Sequence, residues 1–346
     1  MVKRSLPHYC LHELRQHRDR TVATARKIVD AVVIGRNEGA RLVACLASLQ
    51  DQVRRVVYVD SGSTDGSIAA AQAAGATVVA LDLARPFTAA RARNAGLQAL
   101  AADPPELVQL VDGDCIVDPG WIATAAAFLD THPRSVVVCG RRRERFPGAS
   151  VWNRLADREW DTPIGPARAC GGDALMRYAA VQAAGGYRED LIAGEEPELC
   201  LRLIRAGGEV WRIDAEMTLH DAAMTRMSQW WRRNRRAGHA FAEGAALHGA
   251  GPERHWVSET RRAVIWGAGV PLMALLAGLV HPAGLAILLA WPLQVLRLGW
   301  RWRREGRVGW QAALFTVIGR LPEAQGVLGY RLDRLRGRRR GLIEYK

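Results

Sequence analysis

The chain has 346 residues, 49% of them hydrophobic and 24% charged, with a formal net charge of +13 at pH 7. This is the composition of a folded chain, and it excludes collagen-like, low-complexity and wholly disordered classes. The charge is local: residues 251–346 hold sixteen Lys/Arg and six Asp/Glu, so they carry +10 and the first 250 residues only +3. A basic segment fits nucleic acid or an anionic membrane surface. Here it adjoins a long apolar stretch, which favours anionic membrane lipids and argues against nucleic acid. Six cysteines (Cys10, Cys45, Cys115, Cys139, Cys170, Cys200) are scattered with no C-x-x-C pair. They read as reduced, mostly buried thiols of a cytosolic compartment, with neither a disulfide framework nor a zinc site. The first twenty residues are too polar for a signal peptide, so the main domain is expected in the cytoplasm.

The first periodic segment, Ala31-Val32-Val33-Ile34, is the short β-branched run of a buried parallel strand. It ends in the turn Gly35-Arg36-Asn37-Glu38-Gly39, after which Leu42, Cys45, Leu46 and Leu49 recur at helical spacing. A second strand, Val56 to Val59, runs into Asp60-Ser61-Gly62-Ser63-Thr64-Asp65-Gly66. A third follows at Ala76 to Ala80, then a helix from about Ala89 to Leu100, then a strand Leu107 to Val111 that runs into Asp112-Gly113-Asp114. Strand alternating with helix at this pitch predicts a doubly wound α/β sheet, whose ligand sits beyond the C-terminal strand ends. Each polar cluster lies at such an end.

After Gly140 the rhythm loosens. Arg141 to Arg145 reads as mixed loops, Trp152 to Asp161 as a helix, and Gly194-Glu195-Glu196-Pro197-Glu198 as the start of another helix. The segment Met227 to Arg236, with Trp230-Trp231-Arg232-Arg233, is basic and aromatic. From Ala263 to Val280 there is no charge, and a second apolar stretch runs from His281-Pro282 to about Leu296. Each is slightly short of the roughly 20 residues of a membrane-crossing helix. Arginines flank both ends of the pair, which predicts an apolar hairpin with both ends in the cytoplasm. A buried helical pair or an in-plane segment is the competing reading. The tail from Trp310 onward, with Arg331-Leu332-Asp333-Arg334-Leu335-Arg336 and Arg338-Arg339-Arg340, reads as an amphipathic, polybasic surface helix.

Asp112 and Asp114, one residue apart at a strand end, cannot both face an apolar core without a large desolvation cost. Mg²⁺ or Mn²⁺ with phosphate oxygens on its far side relieves that cost. A strand-end turn with solvated carboxylates is the alternative. Asp60 sits directly at its strand end beside Gly62, where backbone can come close to a ligand. Its carboxylate can accept the imide N–H of uracil.

Taken in order, Ile34 to Glu38, Val59 to Ser67, Ala92-Arg93-Asn94-Ala95-Gly96 and Asp112-Gly113-Asp114 resemble the motifs of the family 2 inverting glycosyltransferases. The resemblance covers about Asp30 to Gly238. It implies an α/β fold of the nucleotide-diphospho-sugar transferase (GT-A) type, a doubly wound mixed sheet followed here by the apolar hairpin and basic tail. The domains would be an N-terminal extension at 1–29, a catalytic domain at 30–250 and a membrane-associating region at 251–346. The resemblance places Ile34, Arg36, Asn37, Glu38, Asp60 and Gly62 at the base and ribose, and Arg93 at the diphosphate. It places Asp112 at ribose or metal, Asp114 on the Mg²⁺ or Mn²⁺ as direct ligand, and His220 as a further ligand. Without the resemblance, Arg93 reads as a helix-surface arginine and His220 as a structural histidine.

Family members show Asp-Asp-Gly-Ser where this chain has Asp60-Ser61-Gly62-Ser63, and Glu-Asp where it has Glu195-Glu196. By alignment Glu196 is the base that takes the acceptor's proton, with Glu195 as substitute; clustering of acids would raise its pKa. The implied donor is a nucleotide-diphosphate sugar, with UDP favoured. The acceptor is a lipid-linked or other glycan at the cytoplasmic face of a bacterial inner membrane, as in exopolysaccharide assembly. A non-catalytic sugar-nucleotide-binding assembly protein on the same fold is the alternative.

Overall fold

The computed structural model describes residues 27–337. Most of the extension expected at 1–29, Cys10 and the run Arg338-Arg339-Arg340 lie outside the described residues. Four parallel strands open the fold: β1 (Val29–Gly35), β2 (Val56–Asp60), β3 (Thr77–Ala80) and β4 (Leu107–Asp112). Between them lie α1 (Ala40–Leu49), α2 (Ser67–Ala73) and α3 (Ala89–Ala99). Strand β1 is buried along nearly its whole length, and α1 packs Leu42, Cys45, Leu46 and Leu49 into the same core. Burial of side chains of this size is worth roughly 1.5–3 kcal/mol each. Helix α3 begins on the N-cap Thr88, whose side chain accepts from the Arg91 N–H, and it lies hard against the sheet. A Cβ on Gly96 would sit 2.2 Å from Val32 Cγ1. That close approach carries Arg93, one turn earlier, inward under the strand ends.

The chain continues through β5 (Cys115–Val117), α4 (Trp121–Thr131), β6 (Ser135–Glu144), α5 (Val151–Trp160), β7 (Gly165–Pro166) and β8 (Ala174–Arg177). Then come α6 (Tyr178–Ala183), α7 (Glu195–Arg205) and β9 (Glu209–His220). The sheet order is β3-β2-β1-β4-β8-β6-β9-β5, with β7 on β9. Strand β8 is antiparallel to β4 and β6, and β5 is antiparallel to β9, so the sheet is mixed.

Strand β6 corrects the sequence reading of Arg141 to Arg145 as loop, because Arg141 to Glu144 are its last four residues. The strand tolerates these charges because each arginine meets acid: Arg141 meets Asp157, Arg142 meets Asp173, and Arg143 meets Glu216. Register shifts against β9 on either side of Arg141 break the alternation that would have marked a strand.

Five helices follow: α8 (Met227–His248), α9 (Val257–Val280), α10 (Pro282–Arg301), α11 (Gly306–Ile318) and α12 (Arg320–Leu335). Helix α9 contains a π turn at Ile265–Gly269, just before Pro271, which has no N–H to donate and whose ring clashes with a regular carbonyl one turn back. Helix α10 opens with a 3-10 stretch, Pro282–Leu289. Helices α9 and α10, at 24 and 20 residues, are long and apolar enough to cross a membrane. They expose Leu272, Leu275, Leu276, Leu279, Leu289 and Leu293.

The tail differs from the single surface helix expected. Helix α12 packs across α8, and a Cβ on Gly238 would fall 2.0 Å from the Glu323 carbonyl oxygen. Phe315 of α11 meets the rings of Trp152 and Trp230 edge-on. The last turns of α12 (Arg331, Leu332, Arg334, Leu335) are exposed.

Candidate active site

The site forms where the strand order reverses, between the ends of β1 and β4. Gly35 lies beside Asp60, and Ile34 beside Asp112. Ile34 itself is a core residue; its contribution is a carbonyl that accepts the Gly113 N–H at 2.8 Å and fixes the Asp112-Gly113-Asp114 turn. Asn37 ties the first two strand-end loops together. Its N–H donates to Ser63 Oγ at 2.9 Å, and its Oδ1 accepts from the Thr64 N–H at 2.7 Å. Glu38 pairs with Arg41 and Arg36 is exposed.

Asp60 is buried, and its carboxylate is engaged within the protein. Oδ1 accepts from the Tyr58 hydroxyl at 3.0 Å, and Oδ2 from the Gly62 and Ser63 N–H groups at 2.9 Å. Asp60 therefore builds the loop. Gly62, at φ +87°, supplies the left-handed conformation that the loop needs.

Asp112 is held between two guanidinium groups. Arg93 Nη2 donates to Oδ1 at 2.8 Å, and Arg142 Nη2 to Oδ2 at 3.2 Å. Arg93 also donates from Nη1 to Glu195 Oε1 at 2.7 Å, so it bridges β4 and the start of α7. Its reading as a surface arginine does not hold: it is buried, over the Tyr187 ring. Arg142 is held in turn by fully buried Asp173, which also accepts from Thr218 Oγ1 at 2.8 Å and the Asp112 N–H at 3.1 Å. Buried charges persist only when paired in this way.

Asp114 and His220 meet because β5 pairs with β9, setting Cys115 opposite His220. Asp114 Oδ1 and His220 Nε2 are 3.4 Å apart, and Cys115 Sγ lies 3.7 Å from the same oxygen. Two donors on one octahedral ion with ~2.1 Å bonds stand about 3 Å apart. Burial, with Arg142 nearby, holds the His220 pKa well below its usual value, so the ring is neutral and carries a lone pair. Its Nδ1 is buried with no hydrogen-bond partner among the described residues, and the Trp160 ring meets the imidazole edge-on, centroids 4.7 Å apart. A buried carboxylate and a neutral imidazole whose Nε2 faces it fit a divalent cation.

The two glutamates of α7 differ in environment. Gly194, at φ +82°, turns the chain into the helix, and Glu195, Glu196 and Glu198 crowd its positive end. Glu195 is committed to Arg93. Glu196 has no cation in contact among the described residues: its Oε1 accepts from the Cys170 N–H at 2.5 Å and from Cys200 Sγ at 3.4 Å. Its pKa is raised, chiefly by burial; Glu195 contributes only weakly, so the cause is not mainly the clustering of acids expected from the sequence.

A cavity of about 610 Å³ joins these groups to the C-terminal helices. One wall carries Arg93, Asp112, Arg142, Glu195 and Glu196; the other carries Trp230, Phe241, Trp256, Phe315 and Arg320. Arg233 lines it too, paired with Glu159. Asp114, His220, Asn37, Glu38 and Asp60 lie outside its lining. Sequence reasoning missed Arg142, Asp173 and Trp160. The one signal for Arg142 was an arginine run directly after the apolar Val136 to Cys139.

Residues 30–189 match the model of glycosyl transferase family 2. This stretch carries a family 2 domain. A stretch of 129 residues is 38% identical to part of a TPR repeat-containing protein of Synechococcus elongatus. The match takes in 37% of this chain and 30% of that protein, so the chain spans less than a third of this relative's length. Among solved structures, the mannosyltransferase PcManGT from Pyrobaculum calidifontis, in complex with GDP-Man and Mn²⁺, superposes with a TM-score of 0.59. The two are 20% identical, and the superposition covers 92% of this chain and 94% of that one. TarS 1-349 of S. aureus, in complex with UDP-GlcNAc, is 16% identical over 90% of this chain and 92% of its own, with a TM-score of 0.49. The family 2 domain thus sits in a chain with the GT-A fold expected from its motifs.

Proposed function

We propose that this chain is an inverting, metal-assisted glycosyltransferase that moves a sugar from a nucleotide diphosphate to a hydroxyl of a lipid-linked glycan. We place its work at the cytoplasmic face of a bacterial membrane, as in exopolysaccharide assembly. The observation that carries this reading is the cavity. It has Asp112, Arg93 and Glu196 on one wall, and on the other the helices that lead to the exposed apolar pair α9 and α10. The GDP-Man and Mn²⁺ of the Pyrobaculum structure support a sugar nucleotide and a divalent ion as partners.

In this reading Asp114 and His220 hold Mg²⁺ or Mn²⁺, which when bound supplies positive charge to the leaving diphosphate. Arg93 and Arg142 orient Asp112 and add cationic charge beside it. Glu196 takes the acceptor proton. Its Oε1 faces Cys170 and Cys200, so the proton goes to Oε2, and the burial that raises its pKa strengthens it as a base. Glu195, neutralised by Arg93, holds the clamp. Exposed Arg331 and Arg334 beside Leu332 and Leu335 support contact with anionic lipid.

The test supplies labelled UDP- and GDP-sugars to the full-length protein with a lipid-linked acceptor extract. Label should enter the lipid fraction with inversion at the anomeric carbon. Retention of configuration, or no transfer from any donor, would overturn the reading.

A further inference from the structure

We propose that Cys170, Cys200 and Glu196 form a second cation site, for a thiophilic divalent ion of the zinc class. Read along the chain, the cysteines look unrelated, but the fold brings these two together. Glu196 and Cys200 are four residues apart on α7 and so share a face, and Cys170, on the segment leading into β8, lies against that face. Sγ of Cys170 is 3.6 Å from Sγ of Cys200, which is 3.4 Å from Glu196 Oε1. The three donor atoms all lie within 4.8 Å of one another.

These spacings fit a tetrahedral ion. Bonds of ~2.3 Å to sulfur and ~2.0 Å to oxygen set two sulfurs about 3.8 Å apart, and a sulfur and an oxygen about 3.5 Å apart. The group at Asp114 and His220 offers an oxygen and a nitrogen with one thiol, Cys115, and suits a harder ion such as Mn²⁺. Two thiolates and a carboxylate select a softer ion. The two sites would therefore divide the available metals between them. Binding releases both thiol protons to solvent and leaves the site with one net negative charge. Glu196 lines the cavity and the two buried cysteines do not, so an ion would reach the site past the Glu196 carboxylate. The consequence rests on the reading of Glu196 as base: an ion on Oε1 draws charge from the carboxylate and lowers the basicity of Oε2, so zinc slows transfer.

The experiment titrates the full-length, chelator-stripped protein with Co²⁺, whose sulfur-to-metal charge-transfer absorption reports thiolate ligation. One Co²⁺ per chain should show that band, Zn²⁺ should displace it, and Asp114→Ala should keep it. Cys170→Ser and Cys200→Ser should each weaken binding at least about 100-fold, more than changes beyond the direct ligands usually do. A wild-type titration with no sulfur band overturns the site, and needs no variant to fold. A band that survives in the doubly substituted Cys170→Ser, Cys200→Ser protein also overturns it. Equimolar Zn²⁺ should then slow transfer by the wild type and spare Cys170→Ser. Sulfur-ligated zinc that leaves wild-type transfer unchanged keeps the site and removes Glu196 as the base.

Discussion

Replacing Arg93 with Met keeps the aliphatic stem but removes the group that joins Asp112 to Glu195. The guanidinium is buried and makes bonds of 2.8 and 2.7 Å to the two carboxylates, which would remain in place without it. Breaking a buried pair by deleting one partner costs about 3–5 kcal/mol. Asp112 keeps Arg142, and 29% of its side chain is exposed, so the lower end, roughly 3 kcal/mol, applies here. In a folded unit of about 150–250 residues that lowers Tm by about 6–12 °C. Calorimetry on detergent-solubilised wild type and variant measures it. Adding Glu195→Gln should restore part of the loss, because a neutral amide no longer needs a cation, and the two changes should couple by about 1–3 kcal/mol. A variant melting within about 2 °C of wild type, or strictly additive effects, would refute the clamp.

Glu196→Gln should lower kcat by about 10²–10⁴ and leave sugar-nucleotide affinity unchanged by calorimetric titration. In the zinc-free enzyme, kcat/KM should fall with acid. A base accepts only when ionised, and burial raises this carboxyl's pKa, so the acid limb should lie above the ordinary glutamate value of about 4.3. Gly238→Val should push α12 off α8, because its Cβ would meet the Glu323 carbonyl. The expected cost is about 1–3 kcal/mol, read as faster proteolysis of the C-terminal helices. Leu276→Asp, on the exposed face of α9, should weaken flotation with anionic vesicles; a mid-helix Asp costs about 2.5–3.5 kcal/mol if the helix spans.

The parallel half of the sheet was legible because its apolar runs are short, β-branched and each stopped by a polar turn. That periodicity placed Asp60 and Asp112 at strand ends before any contact was known. Glu195 and Glu196 were legible as the acidic start of a helix. Their different partners were not, because Arg93 and Cys170 approach them from 102 and 26 residues away. Arg142 and Asp173 escaped notice for a related reason. They pair only because β8 and β6 insert beside β4, and β6 ends in a charged run with bulges where alternation fails. The tail looked like a free basic helix because its arginines dominate the pattern. The small residues that let α12 lie on α8, Gly238 among them, leave no periodic mark.

The most direct test of the account follows sugar release and transfer from a panel of nucleotide-diphosphate sugars, with Mn²⁺, with a chelator, and with Mn²⁺ restored. Asp114→Ala and His220→Ala are run alongside. The account predicts that one donor is consumed, that chelation stops the reaction and Mn²⁺ restores it, and that both variants need far more Mn²⁺. Turnover undiminished by chelation and by Asp114→Ala would contradict it.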